Sequence, residues 1–379
     1  MKVGHFNFEE MNYMNKISKI AMGTLILGIL FAGLVGLALS QESPVVNVMI
    51  DMDTPSPISP ENINVASDSL INMINEIDPK GRNITIFVSG EMATLDRLGV
   101  TLQGTMTNHE LALYGNNSGE DLSSLSAEDQ KALLTDANSR LYHCYVCGGK
   151  HVNIKGFRPQ KFEQNDDTLK ALESLGIIYN AGFQEGLIYL PGHENDTWPY
   201  LISGHKLYAV PVSTASIQGE RMVLYDKYAK DEKKLSGSQW SELLQKKFDE
   251  SMQSGSPVTV IFSSLVSGDG EYLDAYRNFL DYAESQGANF VTTLQLVNMA
   301  AAKSNSVIPE LDLANKGGAD VSVTEKGSVA DCPTCDETSK GATTSMIMVK
   351  VQKNRSSSGN SSNNCTTCDQ ISANSTKAA

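Results

Sequence analysis

Charged side chains and a histidine stand in this sequence where short apolar stretches begin or end. Asp51 and Asp53 follow the apolar stretch Val45–Ile50, and Arg158 follows a further apolar stretch. His109 opens the segment HELALYGNNSG. Carboxylates and imidazoles bind divalent metals and transfer protons, so these residues are candidates for acid–base or metal chemistry.

The elements that must position these residues alternate between strand and helix. Apolar strands are predicted at Val45–Ile50, Asn83–Val88 and Pro257–Leu265, with helices between them. Ser59-Pro60-Glu61 predicts a helix start, because a hydroxyl cap precedes a proline and an acid. Asn165-Asp166-Asp167 predicts another, with an amide cap before two acids. About seven strand–helix units fit an α/β fold of the (β/α) barrel type, which typically takes roughly 250 residues. Function in such barrels lies at the carboxyl ends of the strands.

The N-terminal segment predicts contact with a membrane. Residues 20–39 are uncharged and long enough to span a bilayer as a helix, and Lys16 and Lys19 precede them. We expect residues 1–43 to hold a cytoplasmic tail and a transmembrane signal-anchor, or a signal peptide cleaved before Gln41. The rest of the chain would then be extracytoplasmic, either anchored at the cell surface or secreted.

Composition separates the remaining chain into two parts. Residues 44–303 carry the strand–helix pattern, and residues 304–379 form a low-complexity tail rich in Ser, Asn and Gly. The formal net charge of the 379 residues is -14. Such a surface repels phosphate backbones, which argues against nucleic acid as a partner.

Cysteines and glycosylation motifs agree with an extracytoplasmic chain. Three Cys-x-x-Cys pairs are present, the last two as knuckles in the tail: Cys144/Cys147, Cys332/Cys335 and Cys365/Cys368. They predict disulfides or, for the two tail knuckles, a zinc site. Asn-x-Ser/Thr motifs predict glycosylation at Asn83, Asn116, Asn195, Asn354, Asn360, Asn364 and Asn374.

Five segments, taken in order, resemble the polysaccharide deacetylases with a NodB-homology domain. They are VMIDMDTP, ITIFVSGEMA, NHELALYGNNSGEDLSSLS, GFRPQKFEQNDDTLKALESLG and ANFVTTLQLV. The resemblance covers Val45 to about Lys303 and implies that family's barrel. It also implies metal-assisted hydrolysis of acetyl groups on a sugar polymer, in which an aspartate and two histidines bind the metal and a second aspartate is the base.

Carried onto this sequence, the resemblance implies an altered metal site. Alignment on the following proline places the metal aspartate at Asp53 and the base at Met52, so Asp51 would be the base if the strand register shifts. The two metal histidines fall at Tyr114 and Ser118.

Arg158 keeps the arginine of the family, which makes it a catalytic candidate together with Asp51. His109 precedes the ligand pair, and it is a metal candidate with Asp53 if a site is rebuilt with His193 or His205. Such a site would bind zinc, cobalt or nickel; without it we expect no cofactor.

Three functions remain open at this point. The barrel would bind or organise extracellular or cell-wall glycan without catalysis, with Trp198 and Tyr200 offering aromatic faces to sugar rings. Alternatively, it is an active metal-dependent deacetylase, a hydrolase of carbon–nitrogen amide bonds with an atypical ligand set. As a third hypothesis, the cysteine pairs make it a surface thiol or zinc protein.

Overall fold

A computed structural model describes residues 43–94, 109–146 and 154–304 of the chain. The predicted membrane segment at residues 20–39 and the tail beyond residue 304 lie outside these ranges. None of the helices in the described ranges has the length and apolar character needed to cross a bilayer.

Eleven strands and eight α-helices are described in these ranges. The strands are β1 Val45–Met52, β2 Thr85–Val88, β3 Glu110–Leu113, β4 Gly156–Phe157, β5 Tyr179–Gln184, β6 Tyr200–Leu201, β7 Tyr208–Val212, β8 Thr214–Ile217, β9 Glu220–Val223, β10 Val258–Ser263 and β11 Asn289–Val291. The helices are α1 Pro60–Asn75, α2 Gly90–Ala93, α3 Ala127–Val146, α4 Asp166–Ser174, α5 Gly237–Ser254, α6 Ser264–Ser267, α7 Gly270–Ser285 and α8 Thr293–Lys303.

Nine of the described strands form one curled sheet. Its order is β10-β1-β2-β3-β4-β5-β7-β6, and β11 pairs with the first half of β1. All pairs are parallel except β6 with β7. The sheet curls because β10 also bonds to the chain beyond β7: the Ser213 amide donates to Thr259, and the Ile261 amide donates to Leu224. This half-barrel confirms the predicted (β/α) fold class.

Strand β1 is buried along its whole length, which is expected where helices cover a parallel sheet. Val46, Val48, Ile50 and Met52 pack into the core beneath the helices. Because strand side chains alternate between faces, Asp51 and the following Asp53 lie together on the inner face. Met52, the position aligned with the base, therefore faces the core beneath the helices, whereas Asp51 lies on the same face as Asp53.

The predicted helix starts are confirmed by their caps. The Ser59 hydroxyl accepts a hydrogen bond from the Asn62 amide at 3.2 Å. Asn165 and Thr168 form a reciprocal capping box at the start of α4. The short antiparallel hairpin of β8 and β9 was not expected from the strand–helix pattern, and it is followed directly by residues of the candidate site.

The carboxylate of Glu110, the first residue of β3, connects this strand to α8 by a hydrogen bond. Glu110 accepts hydrogen bonds from the hydroxyls of Tyr179 at 2.8 Å and Thr85 at 3.0 Å. It also accepts from the amide of Leu294, at the start of α8, at 2.8 Å. Gly156 leaves the room that Tyr179 needs, because a Cβ there would lie 2.0 Å from the phenol ring. Burial raises the pKa of the Glu110 carboxyl.

We expect Glu110→Ala to lower the free energy of unfolding by about 1–3 kcal/mol, because the buried Tyr179 and Thr85 hydroxyls lose an acceptor. Urea unfolding at neutral pH measures the change. Glu242→Ala, on the exposed face of α5, is the control and should change stability little. Equal effects of the two substitutions would contradict the anchoring role of Glu110.

Candidate functional site

The carboxyl ends of four strands converge at one end of the curled sheet. Asp51 on β1 pairs in register with Ser263, the last residue of β10. Arg158 follows β4, and its amide donates to the Leu113 carbonyl at the end of β3 at 2.9 Å. Chain segments that are far apart in sequence therefore bring charged side chains together in the region where barrels of this type carry function.

Asp51 and Arg158 form an ion pair that is closed to solvent. Both side chains are 0% exposed. The Arg158 Nε donates to Asp51 Oδ1 at 3.1 Å, and Nη2 donates to Oδ2, so the contact is bidentate. Burial alone would lower the pKa of Arg158, but the Asp51 charge, the nearby Tyr114 and Tyr225 and the hydrogen bond to Asp51 together raise that pKa. Burial also raises the pKa of Asp51 against the opposing effect of Arg158. The guanidinium keeps its proton and contacts both carboxylate oxygens of Asp51, so the two groups form an ion pair.

Aromatic rings surround the Arg158 guanidinium. The guanidinium carbon lies 4.5 Å from the ring centre of Tyr114, and the other distances are 5.3 Å to Phe162, 5.5 Å to Tyr225 and 5.9 Å to Phe87. Cations within about 6 Å of a ring centre are attracted by the ring electrons. These rings exclude water and fix the guanidinium against Asp51. Arg158 thus has a positioning role behind the cavity.

Asp53 has both carboxylate oxygens engaged. Its Oδ1 accepts from the Lys227 ammonium, and its Oδ2 accepts from the Ser263 hydroxyl. The Asp53 side chain is 9% exposed and that of Lys227 is 34% exposed. The carboxylate therefore has a protein cation as its counter-charge.

A further buried carboxylate, that of Asp226, supports the contact between Asp53 and Ser263. Asp226 is 0% exposed, and both of its oxygens accept from the Ser263 amide, at 3.0 and 2.8 Å. The Ser267 hydroxyl donates to the same carboxylate at 2.6 Å. Burial raises the pKa of Asp226 well above its ordinary value. Asp226 fixes the Ser263 backbone and, through it, the hydroxyl that contacts Asp53.

The side chain of Glu120 closes the loop after β3 by hydrogen bonds to backbone amides of the same loop. The Glu120 carboxylate accepts from the amide of Asn116 at 3.0 and 3.1 Å and from that of Asn117 at 2.9 Å. Gly115 has a φ of 64°, and a Cβ there would lie 2.0 Å from the Glu120 carboxylate. Gln160 connects this loop to the next one, because its Nε2 donates to the Asn117 carbonyl at 2.8 Å.

Backbone strain is located next to this contact. Lys161 and Phe162 have φ values of 53° and 61°, a region that residues other than glycine rarely adopt. Such conformations cost on the order of 1–3 kcal/mol each and concentrate at functional sites. Here they turn the chain after Gln160 so that the Phe162 ring meets Arg158 and Lys161 lines the cavity.

A cavity of about 340 Å³ opens in front of these groups. It is lined by Asp53, Thr54, Tyr114, Ser118, Gly119, Gln160, Lys161, Tyr225, Lys227, Tyr228 and Leu265. Tyr228 and Leu265 are each 38% exposed at its edge. Cavities of about 300–1,000 Å³ with apolar walls and a few polar groups are typical of small-molecule sites.

The donors in this cavity do not fit a divalent metal. Both oxygens of Asp53 are occupied, and Ser118 offers a neutral hydroxyl. Burial raises the pKa of Tyr114, so its phenolate does not form near neutral pH. Within the ranges that the structure describes, no three His, Cys, Asp or Glu side chains assemble into a metal-binding group. A structural or catalytic zinc site needs at least three protein ligands.

The structure does not bring His109 to Asp53. Glu110 is in register with Met49 through Thr85, so His109 lies level with the residue before Met49, five positions short of Asp53. At about 3.3 Å per residue, this is roughly 16 Å along the strands. The prediction failed because His109 precedes its strand, whereas the site forms where strands end. Its Nε2 lies 2.8 Å from Asp78 Oδ1 instead.

The loop histidines are likewise occupied outside the cavity. The His193 ring stacks on Tyr200 with 3.8 Å between ring centres. His205 lies between two carboxylates of α4, with its ring nitrogens 3.2 Å from Glu173 and 3.2 Å from Asp166. A metal site that combines either histidine with Asp53 is therefore not formed in this structure.

Trp198 and Tyr200, predicted to bind sugar, are absent from the cavity lining. The Lys303 ammonium, at the end of α8, lies 3.7 Å from the Trp198 ring centre. The Tyr200 hydroxyl accepts from the Leu190 amide at 3.5 Å. Their contacts are with neighbouring chain segments, and the aromatic residues that line the cavity are Tyr114, Tyr225 and Tyr228.

The predicted modification sites are distributed unevenly over the described chain. Asn116 is 6% exposed and donates to Asp136 at 3.0 Å, so this amide is not placed for a glycan. Asn83 is partly exposed and Asn195 is exposed. Cys144 lies within α3. The remaining predicted positions lie outside the described residues: Cys147, Cys332, Cys335, Cys365, Cys368, Asn354, Asn360, Asn364 and Asn374.

Sequence reasoning missed Lys227 and Asp226. They follow the apolar stretch Met222–Tyr225, so an acid and a base directly after a strand were a usable signal. The signal was overlooked because β9 belongs to the unexpected hairpin rather than to a strand–helix unit.

We expect Arg158→Met to lower the free energy of unfolding by about 3–5 kcal/mol, because Asp51 is left as an unpaired buried charge. The double variant Asp51→Asn/Arg158→Met should lose less than Arg158→Met alone. Urea unfolding of these two variants and of Asp51→Asn measures the coupling.

Arg140→Met is the matched control, since this arginine forms an exposed ion pair within α3. A loss in Arg158→Met no larger than in this control would show that the buried pair does not organise the site.

Comparison with known proteins supports the architecture. No family model matches the chain, and no curated protein matches it. Solved structures do match. A protein from Mycobacterium smegmatis described as a polysaccharide deacetylase is 17% identical with a TM-score of 0.54, covering 70% of this chain and 93% of its own. Puue allantoinase is 14% identical with a TM-score of 0.53, covering 70% and 93%.

A probable polysaccharide deacetylase from Pseudomonas aeruginosa PAO1 is 11% identical with a TM-score of 0.53, covering 69% and 92%. At these sequence identities the matches support a shared fold and nothing further. The predicted resemblance is confirmed at that level: the chain has the NodB-like fold of the polysaccharide deacetylases.

Proposed function

We propose that this chain is a polysaccharide-deacetylase-like protein of the cell surface that binds N-acetylated glycan without hydrolysing it. The observation that carries the proposal is the contact of Asp53 with Lys227 and Ser263. In the family that the sequence resembles, the aligned aspartate binds the metal that activates water. Here its charge is balanced within the protein, and the cavity in front of it persists.

The cavity has the composition of a sugar site. Tyr228 and Leu265 present apolar surface at the edge, and Gln160, Lys161 and Asp53 supply polar groups inside. Aromatic faces suit the apolar faces of sugar rings, and polar side chains bind hydroxyl or acetamido groups. Extracytoplasmic localisation is part of the proposal and rests on the sequence of residues 20–39.

Isothermal titration of the full-length protein with N-acetylated oligosaccharides tests this function. We expect binding in the presence of EDTA, and weaker binding of the fully deacetylated oligosaccharides. Tyr228→Ala should weaken binding by about tenfold or more, because an aromatic contact is lost. Tyr189→Ala, an equally exposed tyrosine outside the cavity lining, is the control.

The same samples distinguish the alternative, an active metal-dependent deacetylase. Acetate release that requires zinc, cobalt or nickel and disappears in Asp53→Ala would contradict a non-hydrolytic function. Absence of binding to every acetylated oligosaccharide tested would contradict a glycan-binding function.

A further inference from the structure

The cavity contains a cation that the chain itself supplies. Lys227 follows β9 and lines the cavity together with Asp53, 174 residues away in sequence. The Tyr225 ring centre lies 6.0 Å from the Lys227 ammonium, and Tyr228 follows it in the lining. Lys227 precedes the short helical turn Tyr228–Glu232, and its ammonium contacts the Asp53 carboxylate.

A rigid support lies behind this contact. Asp53 accepts from Ser263, and the Ser263 amide is held by Asp226, which also accepts from Ser267. All three supporting residues are buried. Because buried polar networks with satisfied hydrogen bonds resist rearrangement, Asp53 cannot turn away from Lys227 at little cost.

The Lys227 ammonium lies in the cavity where the family that the sequence resembles would bind its metal. Tyr114 and Ser118, the positions aligned with the two metal histidines, line the same cavity as Asp53 and Lys227. The aspartate position is retained, both histidine positions are replaced, and a lysine contacts the aspartate. The three changes belong together, since an ammonium at this carboxylate repels a divalent metal at the same place.

We propose that Lys227 is a built-in cation that replaces the divalent metal of this fold and excludes it. The ammonium balances the charge of Asp53 as a metal would. It is not a Lewis acid, and it does not lower the pKa of a bound water to about 7 as zinc does. For the ligand, the inference rests on the proposed function: among the described residues Asp53 accepts one of the three N–H bonds, and a sugar oxygen would accept another.

Restoring the histidines tests this exclusion. Tyr114→His/Ser118→His returns two metal ligands to the cavity and keeps Lys227. The triple variant adds Lys227→Met, which removes the charge and retains most of the side-chain volume. Cobalt alone is the probe, and binding is measured by titration calorimetry and visible absorption after urea unfolding shows that both variants fold.

We expect the triple variant to bind cobalt more than about a hundredfold more tightly than the double variant, because two cations about 4 Å apart repel strongly. Equal affinities in the two variants would overturn the proposal. Failure of the folded triple variant to bind cobalt would also overturn it, since Lys227 would then not be what excludes the metal.

Substitutions at Lys227 and Asp53 test the charge balance without the added histidines. Lys227→Met should lower the urea midpoint, Lys227→Arg should retain most of it, and Asp53→Asn/Lys227→Met should recover part of the loss. An unchanged midpoint in Lys227→Met would contradict the role of the ammonium as counter-charge. These results do not depend on glycan binding, so they separate failure of this inference from failure of the proposed function.

Discussion

Two buried carboxylates at the carboxyl end of β1 require counter-charges. Asp51 and Asp53 are two residues apart, so the strand directs both side chains to the same side. A buried carboxylate without a partner would shift its pKa or destabilise the fold. Arg158 supplies one cation from the position after β4, and Lys227 supplies the other from the segment after β9. The rest of the site is arranged around these two contacts.

Each cation is fixed by different means, and the difference determines what the site can do. Arg158 is enclosed by rings and has no access to solvent, so it stabilises the scaffold. Lys227 is partly exposed and lines the cavity, so it can meet a ligand. The loop closed by Glu120 completes the wall that bears Ser118. Under the proposed function, a scaffold with the NodB-like fold presents groups suited to binding where the resemblance places the groups that activate water.

Much of the scaffold was predictable from local sequence. Strand–helix alternation, the cap at Ser59 and the cap at Asn165 depend on neighbouring residues, and all three were predicted correctly. The site depends on which strands are neighbours and which face each residue occupies. His109 was misplaced because it precedes a strand, and Lys227 was missed because its partner Asp53 is distant in the chain. Contacts of this kind are set by the curl of the sheet, which periodicity does not encode.

The central claim is that the charge of Asp53 is balanced by Lys227 and not by a metal. Its most direct test is the metal content of full-length protein purified with zinc, cobalt and nickel present, measured by mass spectrometry beside Asp53→Ala. The comparison removes any metal held by cysteines elsewhere in the chain. The account predicts the same metal content in both proteins. One equivalent that is present in the natural chain and lost in Asp53→Ala would contradict it.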